Sequence, residues 1–234
     1  MTVTNFLILV NVLAFVWELL TGINSGRGDL VGYDVTHYGA WWLIFTAAFL
    51  HANFVHIGLN MLALYQVGNI VEIMFGKLRF SLLYVIAIVG SGLTIVAFAP
   101  DQPTLGASGA IFGLFGALVA VGLRLGKRGR ALIGQVLPVI GINLIFTVTV
   151  PGISIAAHVG GLITGFVAGL LLYMLPRQPA APLYAYAAPG ANAPAPPYAG
   201  QTIEQTPETI EQPPEAAPHE AEDAPPLEVR DPRE

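Results

Sequence analysis

Cysteine is absent from the 234 residues, and with it go disulfide bonds, thiol nucleophiles and cysteine-ligated metals. Charge is nearly as scarce. Only 11% of the residues are Asp, Glu, Lys or Arg, against 54% that are hydrophobic, and mean hydropathy is +0.65. So little charge excludes an ordinary soluble domain. The chain reads as a membrane protein surrounded by the lipid bilayer, and no nucleic-acid partner, metal or cofactor is expected. The net charge of −5 hides two regions: residues 1–176 carry seven Lys/Arg and five Asp/Glu, residues 177–234 three and ten.

A helix needs roughly 20 apolar residues to cross ~30 Å of hydrocarbon. Such stretches occur near 3–21, 55–74, 80–98, 107–124, 131–150 and 153–175, which predicts an all-α, six-span membrane protein. "MTVTN" supplies no basic leader and no small-residue cleavage site follows Leu20, so the first span is expected to stay in the protein. A helix running from Trp41 through Glu72 would be too long for one crossing, which places a break near His51 to Asn53. Residues 22–54 are read as a long loop, partly in the bilayer plane, with Trp41 and Trp42 at the interface. Lys77 and Arg79 fall between the second and third spans, Arg124, Lys127, Arg128 and Arg130 between the fourth and fifth, and Arg177 after the sixth. By the positive-inside rule both termini are cytoplasmic and Ser108 lies near the outer face.

Thirteen of the eighteen prolines lie beyond Pro176. A segment so rich in Pro and Glu buries too little apolar surface to offset its ordering entropy. Residues 1–176 are therefore read as one membrane domain and 177–234 as a disordered cytoplasmic tail.

Polar groups inside a span are expensive, and they mark candidate functional sites. His51, His56 and His158 fall at membrane depth, and Asn60 follows His56 by four residues, on one face of a helix. Ser108 stands among Gly106, Gly109 and Gly113 at the start of the fourth span. Taken singly, a serine among glycines is a packing residue, and a membrane histidine or a His/Asn pair is interhelical glue. Together, Ser108, His56, Asn60 and His158 share one depth, which turns the reading toward chemistry. Gly109, Gly113 and Gly116 in the fourth span and Gly161, Gly165 and Gly169 in the sixth allow two backbones to approach closely. That approach offers His158 to Ser108 as a base. Glu18 and Glu72 are assigned to cytoplasmic helix ends and Asp101 to an outer loop, so a dyad without an acid is expected.

Three stretches resemble the motifs of one family. "GASGAIFG" is similar to the GxSG motif of rhomboid intramembrane serine proteases, "HANFVHIGLN" to their paired-histidine and HxxxN motif, and "AHVGGLITG" to their AHxxGxxxG motif. They stand in the family's order within residues 3–175. The resemblance implies the bacterial-type six-helix core, with Ser108 as nucleophile and His158 as general base. It further implies an oxyanion hole from His56, Asn60 and the Ser108 backbone N–H. Gly106 would keep the loop clear, Phe112 would stack on His158, and His51 would serve structure. The family's first-loop Trp-Arg pair is represented by Trp42 and Leu43, so the Arg is missing.

The expected function is intramembrane endoproteolysis of transmembrane protein substrates near their extracytoplasmic ends, in a bacterial plasma membrane. Substrates with Gly, Pro or polar residues near the cut are favoured because a helix must unwind to be cleaved, and the resemblance adds a small residue before it. The fifth span, weakened by Pro138, is the expected lateral gate. The rivals are a non-catalytic rhomboid-like protein that binds membrane clients and a small transporter lined by His and Asn. The substrate, the role of the tail and the oligomeric state are not legible.

Overall fold

The computed structural model of the protein describes residues 1–21 and 28–176; the disordered tail expected over 177–234 lies outside the described residues. All six expected spans are helical. The first is α1 (Val3–Thr21). The second is broken into α4 (Phe54–Ala63), a π-helical turn (Leu64–Gly68) and α5 (Asn69–Phe75). The remaining four are α6 (Lys77–Phe98), α7 (Ser108–Arg124), α8 (Arg130–Thr149) and α9 (Ile155–Met174). Among the described residues the only β pairing is an isolated bridge, in which Leu30 and Thr104 exchange backbone hydrogen bonds of 2.8 and 3.0 Å.

Two details of the sequence reading are corrected. The stretch read as a loop carries two short helices, α2 (Gly32–Tyr38) and α3 (Leu43–Thr46), and a 3₁₀ turn, Ala47–Phe49. Its buried Val35, Leu43, Ile44 and Ala47 belong to the main hydrophobic core, so these residues are held by packing, while Trp41 and Trp42 stay exposed. Lys77 and Arg79 do not fill a loop either: Gly76 alone, at φ 78°, turns α5 into α6, and both cations stand in the first turn of α6. From there the Arg79 guanidinium donates to the Leu172, Leu175 and Pro176 carbonyls at 3.2, 3.3 and 2.6 Å. It satisfies carbonyls that a helix C-terminus leaves free.

At the same end Glu72 accepts from the Val3 and Thr4 amides and the Thr4 hydroxyl, each at 2.8 Å. The carboxylate thereby caps the start of α1. From that anchor α1 runs 19 residues, about 28 Å at 1.5 Å each. Glu18 therefore arrives at the opposite end of the bundle from Glu72, where its Oε2 accepts from the His51 amide at 3.2 Å. The expectation that both acids share the basic end is wrong for Glu18.

The bundle is organised around α7, most of whose residues are buried. It packs chiefly on α9 and α6. Five spans have the length and apolarity to cross a membrane, whereas α7 has 17 residues. That is about 26 Å, short of ~30 Å of hydrocarbon. Its first residue is Ser108. Close approach of α7 and α9 rests on glycine. A methyl group on Gly161 would collide with the backbone of Gly109, and one on Gly165 with that of Gly113. Of the five longer spans, α8 is the least buried; it continues through Pro138, which removes one helical hydrogen bond without ending the helix.

Candidate active site

Each polar residue of the site is set by a local start signal. Asn53 caps α4, its side chain accepting from the His56 amide at 2.9 Å, and this places His56 and Asn60 on successive turns. Ser154 caps α9 after the Pro151–Gly152 break, accepting from the Ala157 amide at 3.3 Å. His158 is the next residue. Ser108 opens α7, so its N–H belongs to the first turn, where helical amides have no intrahelical partner.

These starts bring the residues together. The Ser108 hydroxyl lies 2.8 Å from His158 Nε2, the distance a serine needs to pass its proton to a base. The Phe112 ring stacks on the His158 ring, with centroids 4.1 Å apart and planes 15° apart. Gly106 has φ 116°, a left-handed backbone that disfavours any side chain, and a Cβ there would lie 2.8 Å from His56 Nε2 and 3.5 Å from Asn60 Nδ2. The Gly106 backbone thus faces both groups at close range, two residues before Ser108. Gly109 leaves room for Ser91, whose hydroxyl donates to the Ala157 carbonyl at 3.0 Å and ties α6 to α9 beside the histidine. Asn60 is buried and its Nδ2 has no hydrogen-bond partner.

With this geometry the chain matches the family model described as the rhomboid domain over residues 38–175. The chain belongs to the rhomboid family. It is 37% identical to the rhomboid protease GluP of Bacillus subtilis (strain 168) over 177 residues, 73% of this chain and 35% of that protein. Over 148 residues it is 33% identical to the putative rhomboid protease YdcA of the same organism, which covers 62% of this chain and 74% of that one. It is 34% identical to RHOMBOID-like protein 2 of Arabidopsis thaliana over 154 residues, 64% of this chain and 48% of that protein. The chain thus spans less than half the length of GluP and of RHOMBOID-like protein 2. With its apolar helices, this rhomboid is an integral membrane protein.

Sequence reasoning about this rhomboid missed two residues at the site. Thr147 of α8 is buried, and its hydroxyl lies 2.7 Å from His158 Nδ1. Glu18 holds the His51–Asn53 segment through the His51 amide. Neither carries a motif. Thr147 is one hydroxyl in an apolar helix, and Glu18 was set aside on the wrong end of α1. His51 itself is buried, its ring edge-on to His56 with centroids 5.1 Å apart. Burial, reinforced by His56, pushes its imidazole down to about 4. His51 is held neutral. Among the described residues no His/Asp/Glu cluster could hold a metal ion.

Proposed function

We propose that this rhomboid is an intramembrane serine endopeptidase working through Ser108 and His158. The observation that carries the reading is the 2.8 Å separation of Ser108 Oγ from His158 Nε2 inside a bundle of membrane-length helices. Ser108 Oγ attacks the scissile carbonyl as its proton passes to His158 Nε2. The carbonyl oxygen becomes an oxyanion, and His158 returns the proton to the leaving amine as the peptide bond breaks. A water molecule then repeats the sequence on the acyl-enzyme and frees Ser108.

The oxyanion is held by the Ser108 N–H, by Asn60 Nδ2 and by His56 Nε2–H. The last assignment draws on the Ala52 amide, which points at His56 Nδ1 across a long 3.5 Å contact. An amide only donates, so Nδ1 accepts and the ring proton sits on Nε2, the atom that faces Gly106.

The substrate class is a transmembrane segment cut near its extracytoplasmic end, with both termini of the enzyme in the cytoplasm of a bacterial cell. The cations Lys77 and Arg79 lie at the Glu72 end of the bundle, opposite Ser108, as that orientation requires. A cysteine at Gln102 should label from outside intact cells with an impermeant maleimide; labelling only after lysis would reverse the topology. The cavity beside Ser108 is lined by Ile44, Ala47, Ala48, Gly92, Ala110 and Ala157 among others, which suits a small side chain before the cut.

Purified protein in detergent should cleave a model transmembrane substrate and Ser108→Ala protein should not. Equal cleavage by the two would defeat the proposal. Folded wild type that binds but never cuts such segments would favour a client-binding protein.

A further inference from the structure

The histidine at this site has two ring nitrogens, and only one protonation pattern lets it act as a base toward Ser108. Nε2 must carry the lone pair, so the neutral ring must hold its proton on Nδ1. The tautomer is set by whatever Nδ1 meets. Where a carboxylate fills that position the matter is decided, because a carboxylate only accepts. Here Nδ1 meets the Thr147 hydroxyl at 2.7 Å, and a hydroxyl can donate or accept.

The choice is made one helical turn earlier in α8. The Thr147 hydroxyl also lies 2.7 Å from the carbonyl oxygen of Asn143. That carbonyl can only accept, so the single hydroxyl proton is directed to it. The oxygen then presents only its lone pairs to the ring, and Nδ1 must be the donor. From Asn143 to Ser108 the relay runs in one direction: Ser108 O–H donates to Nε2, Nδ1–H donates to Thr147, and Thr147 O–H donates to the Asn143 carbonyl.

We infer that Thr147 is the positioning residue of the base: its hydroxyl, polarised by the Asn143 carbonyl, fixes His158 as the Nδ1–H tautomer and keeps its lone pair on Ser108. The inference rests on the proposed protease reading and deepens it from a dyad to a Ser–His–Thr relay. Burial keeps water from competing, since Thr147 is 3% and His158 7% exposed. Phe112 fixes the plane of the ring from one face but makes no bond to either nitrogen. Tautomer control therefore falls to Thr147. When the ring becomes an imidazolium during the reaction, the Thr147 oxygen still accepts from Nδ1, so the same bond serves both protonation states. Orientation of the base thus depends on α8 as well as on the helix that carries it.

The test uses the full chain in detergent as wild type, Ser108→Ala, Thr147→Val and Thr147→Ser. Valine keeps the shape and removes the oxygen; serine restores it. Thr147→Val should lower kcat by roughly 10-fold or more, part of the 10²–10⁴ that a general base supplies, while KM stays within about 2-fold. Thr147→Ser should recover most of the loss. A second measurement does not need turnover: ring ¹⁵N chemical shifts of selectively labelled protein should report the Nδ1–H tautomer for His158 in the wild type and a shift toward Nε2–H in Thr147→Val. A wild type that does not cleave, but whose His158 is Nδ1–H and responds to Thr147→Val, would defeat the protease reading and leave the positioning role standing. A wild type that cleaves with His158 as Nε2–H, or folded Thr147→Val with unchanged kcat and tautomer, would overturn the inference.

Discussion

Phe112 lies one helical turn after Ser108, and its ring is stacked on His158 with centroids 4.1 Å apart, so the helix that opens with the proposed nucleophile also holds the proposed base flat. An aromatic pair of this kind contributes ~0.5–1.5 kcal/mol beyond burial. If that preference holds His158 in its reactive orientation, Phe112→Leu should slow turnover by about 2- to 10-fold. Phe112→Tyr should remain near wild type. Steady-state cleavage of one transmembrane substrate by the three proteins measures this, and a Phe112→Leu enzyme with undiminished kcat would reduce the stack to ordinary packing.

The face opposite the base makes a different prediction. Asn60 Nδ2 is buried and unpartnered in the resting site, which costs stability in the absence of a transition state to receive it. Asn60→Ala should therefore lower kcat roughly 10-fold or more, as loss of an oxyanion donor does, without lowering the melting temperature. Gly106→Ala should lose as much activity for another reason: the new methyl would sit 2.8 Å from His56 Nε2 on a backbone at φ 116°, displacing the donor. Kinetics and thermal melts on both variants separate the two effects. A destabilised Asn60→Ala protein with normal turnover would identify a structural amide instead.

His51 should confer a pH-dependent stability that has nothing to do with catalysis. Its folded-state pKa of about 4 lies below the ordinary value of 6.5, so between these limits the unfolded chain binds more protons than the folded one. Stability from this residue is complete above pH 6.5 and falls as pH drops toward 4. Asp29 is an acid outside the spans, and burial pushes its carboxyl upward, which works in the opposite sense. Melting temperatures of wild type and His51→Asn across pH 4 to 7 should show a steeper acid-side fall in the wild type. Parallel curves would remove His51 as the cause.

Much of this was legible in the residues. The six spans follow from runs of apolar residues near bilayer length, and the approach of α7 to α9 follows from glycines repeated at helical spacing. Ser108, His56, Asn60 and His158 were singled out because polar groups are rare at that depth. What escaped was set by tertiary geometry. Nothing in "LIFTVTV" distinguishes Thr147 from a threonine that bonds only to its own helix, since the partner that gives it meaning is eleven residues away on another span. The π turn at Leu64–Gly68 likewise carries no local signal. Glu18 stands near the far end of a 19-residue helix whose start Glu72 caps, so the two acids lie at opposite ends of the bundle. The short helices of the first loop are packed rather than patterned, each too brief to show a period.

The central claim is that Ser108 is activated by His158, and a fluorophosphonate tests it without knowledge of the substrate. An activated serine attacks the probe's phosphorus and expels fluoride, whereas a serine that merely packs helices does not. Incubation of purified protein followed by mass mapping of the modified residue should find the phosphonyl group on Ser108, accumulating with time. The modification should be absent in Ser108→Ala and absent or strongly slowed in folded His158→Ala, and it should decline as acid protonates the base. Label that persists in folded Ser108→Ala, or that forms on Ser108 at an unchanged rate without His158, would contradict the account.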